Sequence, residues 1–265
     1  MPPTLAILDG TVMDVAQAQI PVTDDGLLRG DGVFEVLRIY AGRPFGMDEH
    51  LERMARSADA LRLPFDADAV RADATALIAA GDPREAMLRL VVTRGGRRIG
   101  MLETLPERPE TIALQTVTYT PTRVLDGVKS LSYAANMLAT RIAREQGADE
   151  ALLITPHGRV LEGPTTSFFY VLESRLHTPP LRDRILDSIT RRALFAVTDA
   201  TERVTTQEDL AAASEAFLAS SLREVHPVRA IDGVALAQAP GPGSSAAAAA
   251  VHEHIEAQLA RAPAA

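Results

Sequence analysis

The hydrophobic pattern of this chain changes period repeatedly, which restricts it to a fold that mixes sheets with helices. Residues 32–40 alternate and are rich in Val, Phe, Leu and Ile, a pattern that predicts a β-strand. Residues 48–63 instead carry apolar side chains three and four positions apart, which predicts a helix. An Asp9-Gly10 turn between two apolar runs predicts a hairpin at the start of the chain. We therefore expect the α/β class, beginning with an α+β domain.

The length of the chain allows one large domain or two smaller ones, and the order of its predicted elements favours two. A small N-terminal α+β domain is expected over residues 1–118, and a larger C-terminal α/β domain over residues 129–265. Residues 119–128 contain proline and glycine and predict the linker. Residues 240–250 predict a flexible joint that leads into a final helix at 252–261, although their alanine run is more typical of a helix than of a tail.

The overall composition excludes several classes of function. A net charge of −8 disfavours binding to a nucleic-acid backbone, which needs clustered cations. With no cysteine, the chain has no disulfide, thiolate nucleophile or zinc–cysteine site, and its six histidines form no metal-binding pattern. The N-terminus does not resemble a signal peptide, and no apolar run is long enough to span a bilayer. These features predict a cytoplasmic protein that binds neither membrane nor metal.

Lys129 is the only lysine, whereas the other 26 of the 27 basic residues are arginine (27 − 1). Arginine stays protonated at any accessible pH, but a lysine amine that loses its proton can attack a carbonyl carbon. Lys129 is therefore a candidate nucleophile. The alternative is an ordinary lysine on a solvated loop.

Five blocks of sequence, in a consistent order, resemble a known family. They are Asp126 to Tyr133 with its continuation to Leu153, Asp25 to Glu35 with Glu49 to Ala58, Val160 to Gly163, Thr178 to Arg191, and Glu215 to Val228. The chain resembles the class IV aminotransferases, which are fold-type IV pyridoxal 5'-phosphate (PLP) enzymes. This family includes branched-chain and D-amino-acid aminotransferases, R-selective amine transaminases and aminodeoxychorismate lyases. The resemblance implies a PLP-dependent transferase that forms a homodimer.

The resemblance also implies roles for individual residues. Lys129 would hold PLP through its amine and then carry a proton between substrate and cofactor. Glu162 matches the carboxylate that pairs with the ring nitrogen, and Tyr133 a tyrosine that bonds the phenolic oxygen of the cofactor. Arg53 matches a phosphate-binding arginine. The remaining phosphate contacts would come from Ile189, Thr190, Ser220 and Ser221.

Substrate selection in this family depends on the first hairpin block and on the loop after Thr93. The pair Phe34 and Val36 is similar to the D-amino-acid and amine branch, although Arg38 keeps the last residue of the branched-chain motif. We expect Arg29 to enter the pocket of a partner subunit and to meet the substrate carboxylate there. The candidate substrate-binding residues are Arg29, Phe34, Val36, Arg97 and Arg98. A solvated or interface position is the alternative for the three arginines.

The predicted reaction moves an amino group from an amino acid, with D-amino acids favoured, to a 2-oxo acid such as pyruvate or 2-oxoglutarate. One alternative is an aminodeoxychorismate lyase, which eliminates pyruvate from a related substrate. Lyases often carry Lys-His-Leu-Asn-Arg where this chain reads Lys-Ser-Leu-Ser-Tyr from residue 129, and this difference favours a transaminase. A branched-chain L-amino-acid aminotransferase is the second alternative.

Overall fold

The computed structural model describes residues 5–261, which group into two compact units. The first unit contains residues 5–107, 128–133 and 258–261, and the second contains residues 108–127 and 134–257. The sequence instead predicts boundaries at 118 and 129. The difference arises because the strand at 112–118 belongs to the second sheet, while Ser130 pairs with Val33 of the first.

The first unit is built on a six-stranded sheet in which every neighbouring pair is antiparallel. The order across the sheet is β2-β1-β6-β5-β3-β4. The hairpin expected at the start of the chain is present, since its two strands pair antiparallel around the Asp9-Gly10 turn. The strands are β1 (Leu5–Leu8), β2 (Thr11–Asp14), β3 (Gly32–Tyr40), β4 (Arg43–Pro44), β5 (Glu85–Thr93) and β6 (Arg98–Glu103).

Three helices accompany this sheet: α1 (Asp25–Arg29), α2 (Met47–Ala60) and α3 (Ala67–Gly81). Helix α2 follows Gly46, whose backbone is left-handed with φ 65°, and Asp48 lies in its first turn. Asp66 caps α3 by accepting a hydrogen bond from the Ala69 N–H at 3.0 Å. The apolar faces of α2 and α3 are buried together with one face of the sheet in a single core.

The second unit contains an eight-stranded mixed sheet. Its order is β11-β10-β9-β12-β13-β7-β8, with β14 paired to β13, and β7 runs parallel to both of its neighbours. The strands are β7 (Ile112–Thr118), β8 (Glu150–Ile154), β9 (Ser167–Leu172), β10 (Arg175–Thr178), β11 (Thr201–Glu202), β12 (Glu215–Ser220), β13 (Glu224–Ile231) and β14 (Val234–Ala235). Its helices are α4 (Ala134–Glu145), α5 (Ile189–Val197), α6 (Gln207–Ala212) and α7 (Pro242–Arg261), of which residues 258–261 group with the first unit.

Helix α7 replaces most of the flexible joint that the sequence predicts at 240–250. The carboxylate of Glu215 accepts hydrogen bonds from the N–H of Gly243 at 2.9 Å and of Ser244 at 2.8 Å. These two amides lie in the first turn, where a helix has no acceptors of its own. A distant carboxylate therefore stabilises the start of a helix in a sequence that looks like a linker.

Across residues 5–261, no helix is both long enough and apolar enough to cross a bilayer. In the same range, no group of three or more His, Asp or Glu side chains is arranged to bind a metal ion.

Candidate active site

The backbone of Lys129 is held beside the start of β3. Its carbonyl accepts from the N–H of Phe34 at 3.3 Å, and the N–H of Leu131 donates to the carbonyl of Gly32 at 2.9 Å. Gly32 permits this approach, since a Cβ there would lie 2.7 Å from the side chain of Leu131. The N–H of Lys129 donates to Ser57 Oγ of α2 at 3.1 Å. A strand and a helix together position the only lysine of the chain.

The Lys129 side chain lies against two aromatic rings. Its Nζ is 4.4 Å from the centroid of the Phe34 ring and 5.7 Å from that of Tyr133. The rings themselves meet edge to face with centroids 5.2 Å apart. The structure thus brings together three sequence-predicted residues. Val36 lies on the same face of β3 as Phe34, because side chains alternate along a strand.

A buried polar row lies along helix α2. His50, Arg53 and Ser57 are three and four positions apart and are all buried. Arg53 donates from Nε to Glu35 Oε1 at 2.7 Å and from its second terminal nitrogen to Glu35 Oε2 at 2.6 Å. His50 Nδ1 lies 2.7 Å from the same Oε2. The predicted phosphate-binding arginine is therefore also the partner of a carboxylate in β3.

Charge and burial act in opposite senses on this cluster. Burial alone would raise the pKa of Glu35, but the positive charge of Arg53 and the hydrogen bonds from Arg53 and His50 lower it from 4.5 to about 2. The pKa of His50 is lowered mainly by burial and also by the charges of Arg53 and Lys129, while Glu35 acts in the other direction. At neutral pH, His50 is consequently neutral and donates its Nδ1–H to an ionised Glu35.

Neither Glu35 nor His50 is a sequence-predicted site residue. The signal that could have revealed Glu35 is its place between apolar neighbours, Phe34 and Val36, within a strand. A carboxylate buried in that way needs a cationic partner.

Glu162 is the main candidate in the second unit. Its backbone is tied to β8, since its carbonyl accepts from the N–H of Leu153 at 2.9 Å. Its Oε1 accepts from the N–H of Leu186 at 3.0 Å. Burial raises the pKa of Tyr119, and the negative charge of Glu162 raises it further. The next residue, Gly163, must be small because a Cβ there would overlap the hydroxyl of Thr166.

Helix α5 begins at the predicted phosphate-binding position. Ser188 caps it, accepting from the N–H of Arg191 at 3.1 Å, and Ser188 Oγ lies 2.8 Å from Ser167 Oγ. Ile189 and Thr190 are the first two helical residues and both are buried. Their N–H groups have no acceptor within the helix, so they can serve an anion. The hydroxyl of Ser188 therefore forms the cap of the helix.

Ser220 and Ser221 lie at the turn between β12 and β13. The carbonyl of Ser220 accepts from the N–H of Arg223 at 3.1 Å, which closes the turn. Arg223 also forms an ion pair with Glu150 at 2.6 Å, and Glu150 accepts from Thr166 Oγ1 at 3.2 Å. Glu150 therefore has a structural partner in the same unit.

The three candidate substrate arginines each pair with a different carboxylate. Arg29 pairs with Asp25 one turn earlier in α1, and its side chain is 69% exposed. Arg97 pairs with Asp9 at 2.7 Å and Arg98 with Asp73 at 2.8 Å. Arg98 opens β6 and is not in a loop as the sequence suggests, because it pairs with Val92 of β5. Arg29 is the most exposed of the three.

Comparison with known proteins decides the family. Residues 32–231 match the family described as amino-transferase class IV. The chain belongs to the class IV aminotransferases. The resemblance carried by the five sequence blocks is confirmed, and this aminotransferase depends on PLP, as does its family.

Curated relatives match the aminotransferase over most of their length. A Methanocaldococcus jannaschii protein, provisionally named a branched-chain-amino-acid aminotransferase, is 33% identical over 85% of this chain and 87% of its own. The D-alanine aminotransferase of Bacillus licheniformis is 30% identical over 86% of this chain and 88% of its own.

A solved structure also resembles the aminotransferase over nearly its whole length. It is the PLP-bound form of a hypothetical aminotransferase from Mycobacterium tuberculosis, with a TM-score of 0.88 and 27% identity. The alignment covers 96% of this chain and 99% of that one. The expected fold-type IV architecture is confirmed.

The donor groups of the aminotransferase fit PLP chemically. The first unit carries an amine for the aldehyde carbon (Lys129) and a guanidinium suited to a phosphate (Arg53). The second carries a carboxylate for a ring nitrogen (Glu162) and a helix N-terminus with adjacent hydroxyls for a phosphate. A carboxylate has about four acceptor positions, so the bond from Leu186 leaves Glu162 able to accept another hydrogen.

Proposed function

We propose that this PLP-dependent transaminase acts chiefly on D-amino acids and passes their amino group to a 2-oxo acid such as pyruvate or 2-oxoglutarate. The observation that carries the proposal is the sole lysine, whose Nζ lies against the rings of Phe34 and Tyr133. The preference for D-amino acids is supported by the Phe34 and Val36 pair and by the D-alanine aminotransferase among the relatives.

Lys129 performs the two central tasks. Its amine would hold the cofactor and, once released by the substrate, would move the proton of the substrate Cα. Bound PLP supplies the conjugated ring that accepts the electron pair left at Cα. Glu162 keeps the ring nitrogen protonated, because a carboxylate favours the positively charged form. Phe34 and Tyr133 lie against the lysine side chain, and the Tyr133 hydroxyl would donate to the phenolic oxygen of the cofactor.

The phosphate is bound by groups of complementary charge and shape. Arg53 supplies a guanidinium charge, and the N–H groups of Ile189 and Thr190 supply the helix N-terminus. The Thr190 hydroxyl and a hydroxyl of Ser220 or Ser221 complete the contacts. These assignments extend to this chain the roles that the family motif gives to the same positions.

We further propose that the enzyme is a cytoplasmic homodimer in which Arg29 binds the substrate carboxylate of the partner subunit. Its exposed side chain supports this role, since it is available to a second copy of the chain. Arg97 or Arg98, which are less exposed, would bind the same substrate carboxylate from the segment that follows Thr93.

Single amine donors, added separately to the PLP-loaded enzyme while its absorption band is followed, test the reaction. Conversion of the cofactor to its aminated form by D-alanine or D-glutamate supports the proposal. Conversion by L-leucine alone would move the enzyme to the branched-chain group, an alternative supported by Arg38 and by the archaeal relative. If no donor converts the cofactor, aminodeoxychorismate is the next substrate, and formation of 4-aminobenzoate with pyruvate would identify a lyase.

The role of Lys129 has its own test, because no other lysine can compete with it. Borohydride reduction of the holoenzyme followed by peptide mass spectrometry is expected to find the cofactor on Lys129. Lys129→Arg keeps a positive charge and should carry no adduct. Cofactor found elsewhere, or none on the natural chain, would refute the assignment.

A further inference from the structure

The buried cluster of Glu35, His50 and Arg53 raises a question that the proposed roles leave open. Glu35 and His50 have no exposed surface, and Arg53 is 5% exposed. Both carboxylate oxygens of Glu35 accept hydrogen bonds from Arg53, Oε1 from Nε and Oε2 from a terminal nitrogen. His50 Nδ1 also contacts Oε2. The cluster joins the middle of β3 to the first half of α2.

Stability alone is a weak reason for such a cluster. Removing two charges from water costs free energy comparable to that gained from their attraction. A protein with well-packed apolar side chains in place of a buried ion pair is therefore often equally stable or more stable. The remaining buried positions of α2, apart from Ser57, are apolar: Leu51, Met54 and Ala58. Apolar residues at positions 35, 50 and 53 would have extended this apolar packing.

The geometry has a clear effect on Arg53. A guanidinium has five N–H groups in one plane, and two of them go to Glu35. Paired bonds to a carboxylate fix that plane and leave at most three N–H groups, all on the terminal nitrogens, for another anion. His50 holds the carboxylate itself, so the orientation of the guanidinium depends on both partners.

We propose that Glu35 and His50 are positioning residues, which hold the Arg53 guanidinium in the orientation that binds the cofactor phosphate. The inference rests on the proposed phosphate role of Arg53. His50 acts through Glu35, and Glu35 through Arg53, and neither touches the cofactor. The charge of Glu35 opposes phosphate binding, so orientation must outweigh this repulsion.

The test separates the phosphate contribution from every other contact. Equilibrium dialysis of the full-length protein against PLP and against pyridoxal gives two dissociation constants. The Kd for pyridoxal divided by the Kd for PLP, called the ratio below, reports the contribution of the phosphate alone and falls when phosphate binding weakens. Glu35→Asp keeps the charge but shortens the side chain, and should lower the ratio about tenfold, as expected for a displaced charge-assisted bond. His50→Leu should lower it roughly threefold, and His50→Asn, which retains a donor at the same position, should restore it.

Two further variants distinguish the possible failures. If Arg53→Gln leaves the ratio unchanged, Arg53 does not bind the phosphate and that part of the proposed function fails. If Arg53→Gln lowers the ratio while Glu35→Asp and His50→Leu do not, the positioning inference alone is refuted. A rise in the ratio in Glu35→Gln with no change in Glu35→Asp would also refute it, since this outcome indicates a purely electrostatic role.

Asp73→Asn is the matched control for a purely structural effect. Asp73 is a buried carboxylate of the same unit, and its partner Arg98 is paired at 2.8 Å. This variant should lower the unfolding temperature without changing the ratio. Should the Glu35 and His50 variants behave in the same way, the cluster is structural only.

Discussion

Tyr133 presents its ring at right angles to that of Phe34, with the two centroids 5.2 Å apart and the planes 86° from each other. The Phe34 ring in turn lies under Lys129 Nζ. Packing in this group comes from the rings, whereas the proposed cofactor contact of Tyr133 comes from its hydroxyl. The two contributions can therefore be separated by mutation.

We expect Tyr133→Phe to retain the ring contact and to change the free energy of unfolding by no more than about 1.5 kcal/mol, the scale of one hydrogen bond. The visible absorption band of bound PLP should shift, because a donor to the phenolic oxygen is lost. Tyr133→Ala should lose stability as well, by about 3 kcal/mol. Absorption spectra and urea unfolding of the two variants test this, and an unshifted band in Tyr133→Phe would rule out the hydroxyl contact.

Arg29→Ala tests the proposed carboxylate contact between subunits. The Michaelis constant for D-alanine should rise about tenfold or more, since a charge-assisted bond is lost. The constant for R-1-phenylethylamine should not change, because this amine has no carboxylate. A dimer by light scattering and a natural circular dichroism spectrum are the required controls. Equal effects on both donors, or none on D-alanine, would contradict the role of Arg29.

Gly163→Ala tests the close approach beside Glu162. The added Cβ would overlap the Thr166 hydroxyl and lie 3.2 Å from Glu150 Oε1. We expect a loss of about 1–3 kcal/mol in the free energy of unfolding. The double variant Gly163→Ala with Thr166→Ala should lose less than the sum of the two single effects, because the overlapping atom is gone. Additive losses would show that the overlap is not the cause.

Glu215→Gln tests how helix α7 is held at its start. A glutamine has one acceptor oxygen and presents an N–H to an amide that now donates to Glu215. The free energy of unfolding should fall by about 1–3 kcal/mol, and the amides of Gly243 and Ser244 should exchange hydrogen faster. Ser244→Ala removes the 2.8 Å side-chain bond to Glu215 and the bonds of the Ser244 hydroxyl with the N–H and the carbonyl of Gly241, but it leaves both amide bonds to Glu215 and should have a smaller effect on their exchange. Unchanged exchange in Glu215→Gln would contradict this account.

The buried cluster also predicts how stability depends on pH. The pKa of His50 is lowered in the folded state, so the unfolded chain takes up its proton first, near pH 6.5. The contribution of neutral His50 to the free energy of unfolding is therefore complete above pH 6.5 and is lost as the pH falls below it. For Glu35, whose pKa falls from 4.5 to about 2, the contribution is complete above 4.5 and is lost towards pH 2.

We expect the free energy of unfolding to fall between pH 7 and pH 5, by at most about 1.4 kcal/mol per unit for each group. His50→Asn keeps a donor to Glu35 but cannot titrate, so its decrease should be smaller. The decrease should not vanish, because burial also lowers the pKa of His177 and His226. Urea unfolding at pH 7 and at pH 5 measures this decrease in the free energy of unfolding. An equal decrease in the natural protein and in His50→Asn would contradict the role of His50.

Local patterns predicted the elements that carry their own amphipathic signal. Strand β3 has the predicted bounds, and the helix predicted at 48–63 is found at Met47–Ala60. Strand β6 carries no such signal, because its short sequence does not alternate between apolar and polar residues. Its place depends on β1 and β5 on either side, where Gly100 fits against Ile7 since a Cβ would lie 2.7 Å from that side chain. Such a fit is a property of the assembled sheet.

The site was predictable to a similar degree. Lys129 was recognisable because it is unique, and the family motif supplied candidates for the groups that would bind the cofactor. Glu35 and His50 were not recognised, since their partners lie 15 or more residues away in sequence. Whether a glutamate in a strand is buried with an arginine or exposed to water is decided by tertiary packing, which a local pattern does not contain.

The path of the chain has a consequence for biosynthesis. The first unit takes up residues 128–133 after the chain has already begun the second, and it includes residues 258–261 at the far end. A ribosome that has released residues 5–107 has therefore not yet made the segment that carries Lys129 and pairs with β3. A fragment cut at residue 118 lacks it permanently. The nucleophile can join the sheet that holds it only after residues 108–127, which belong to the second unit, have been made.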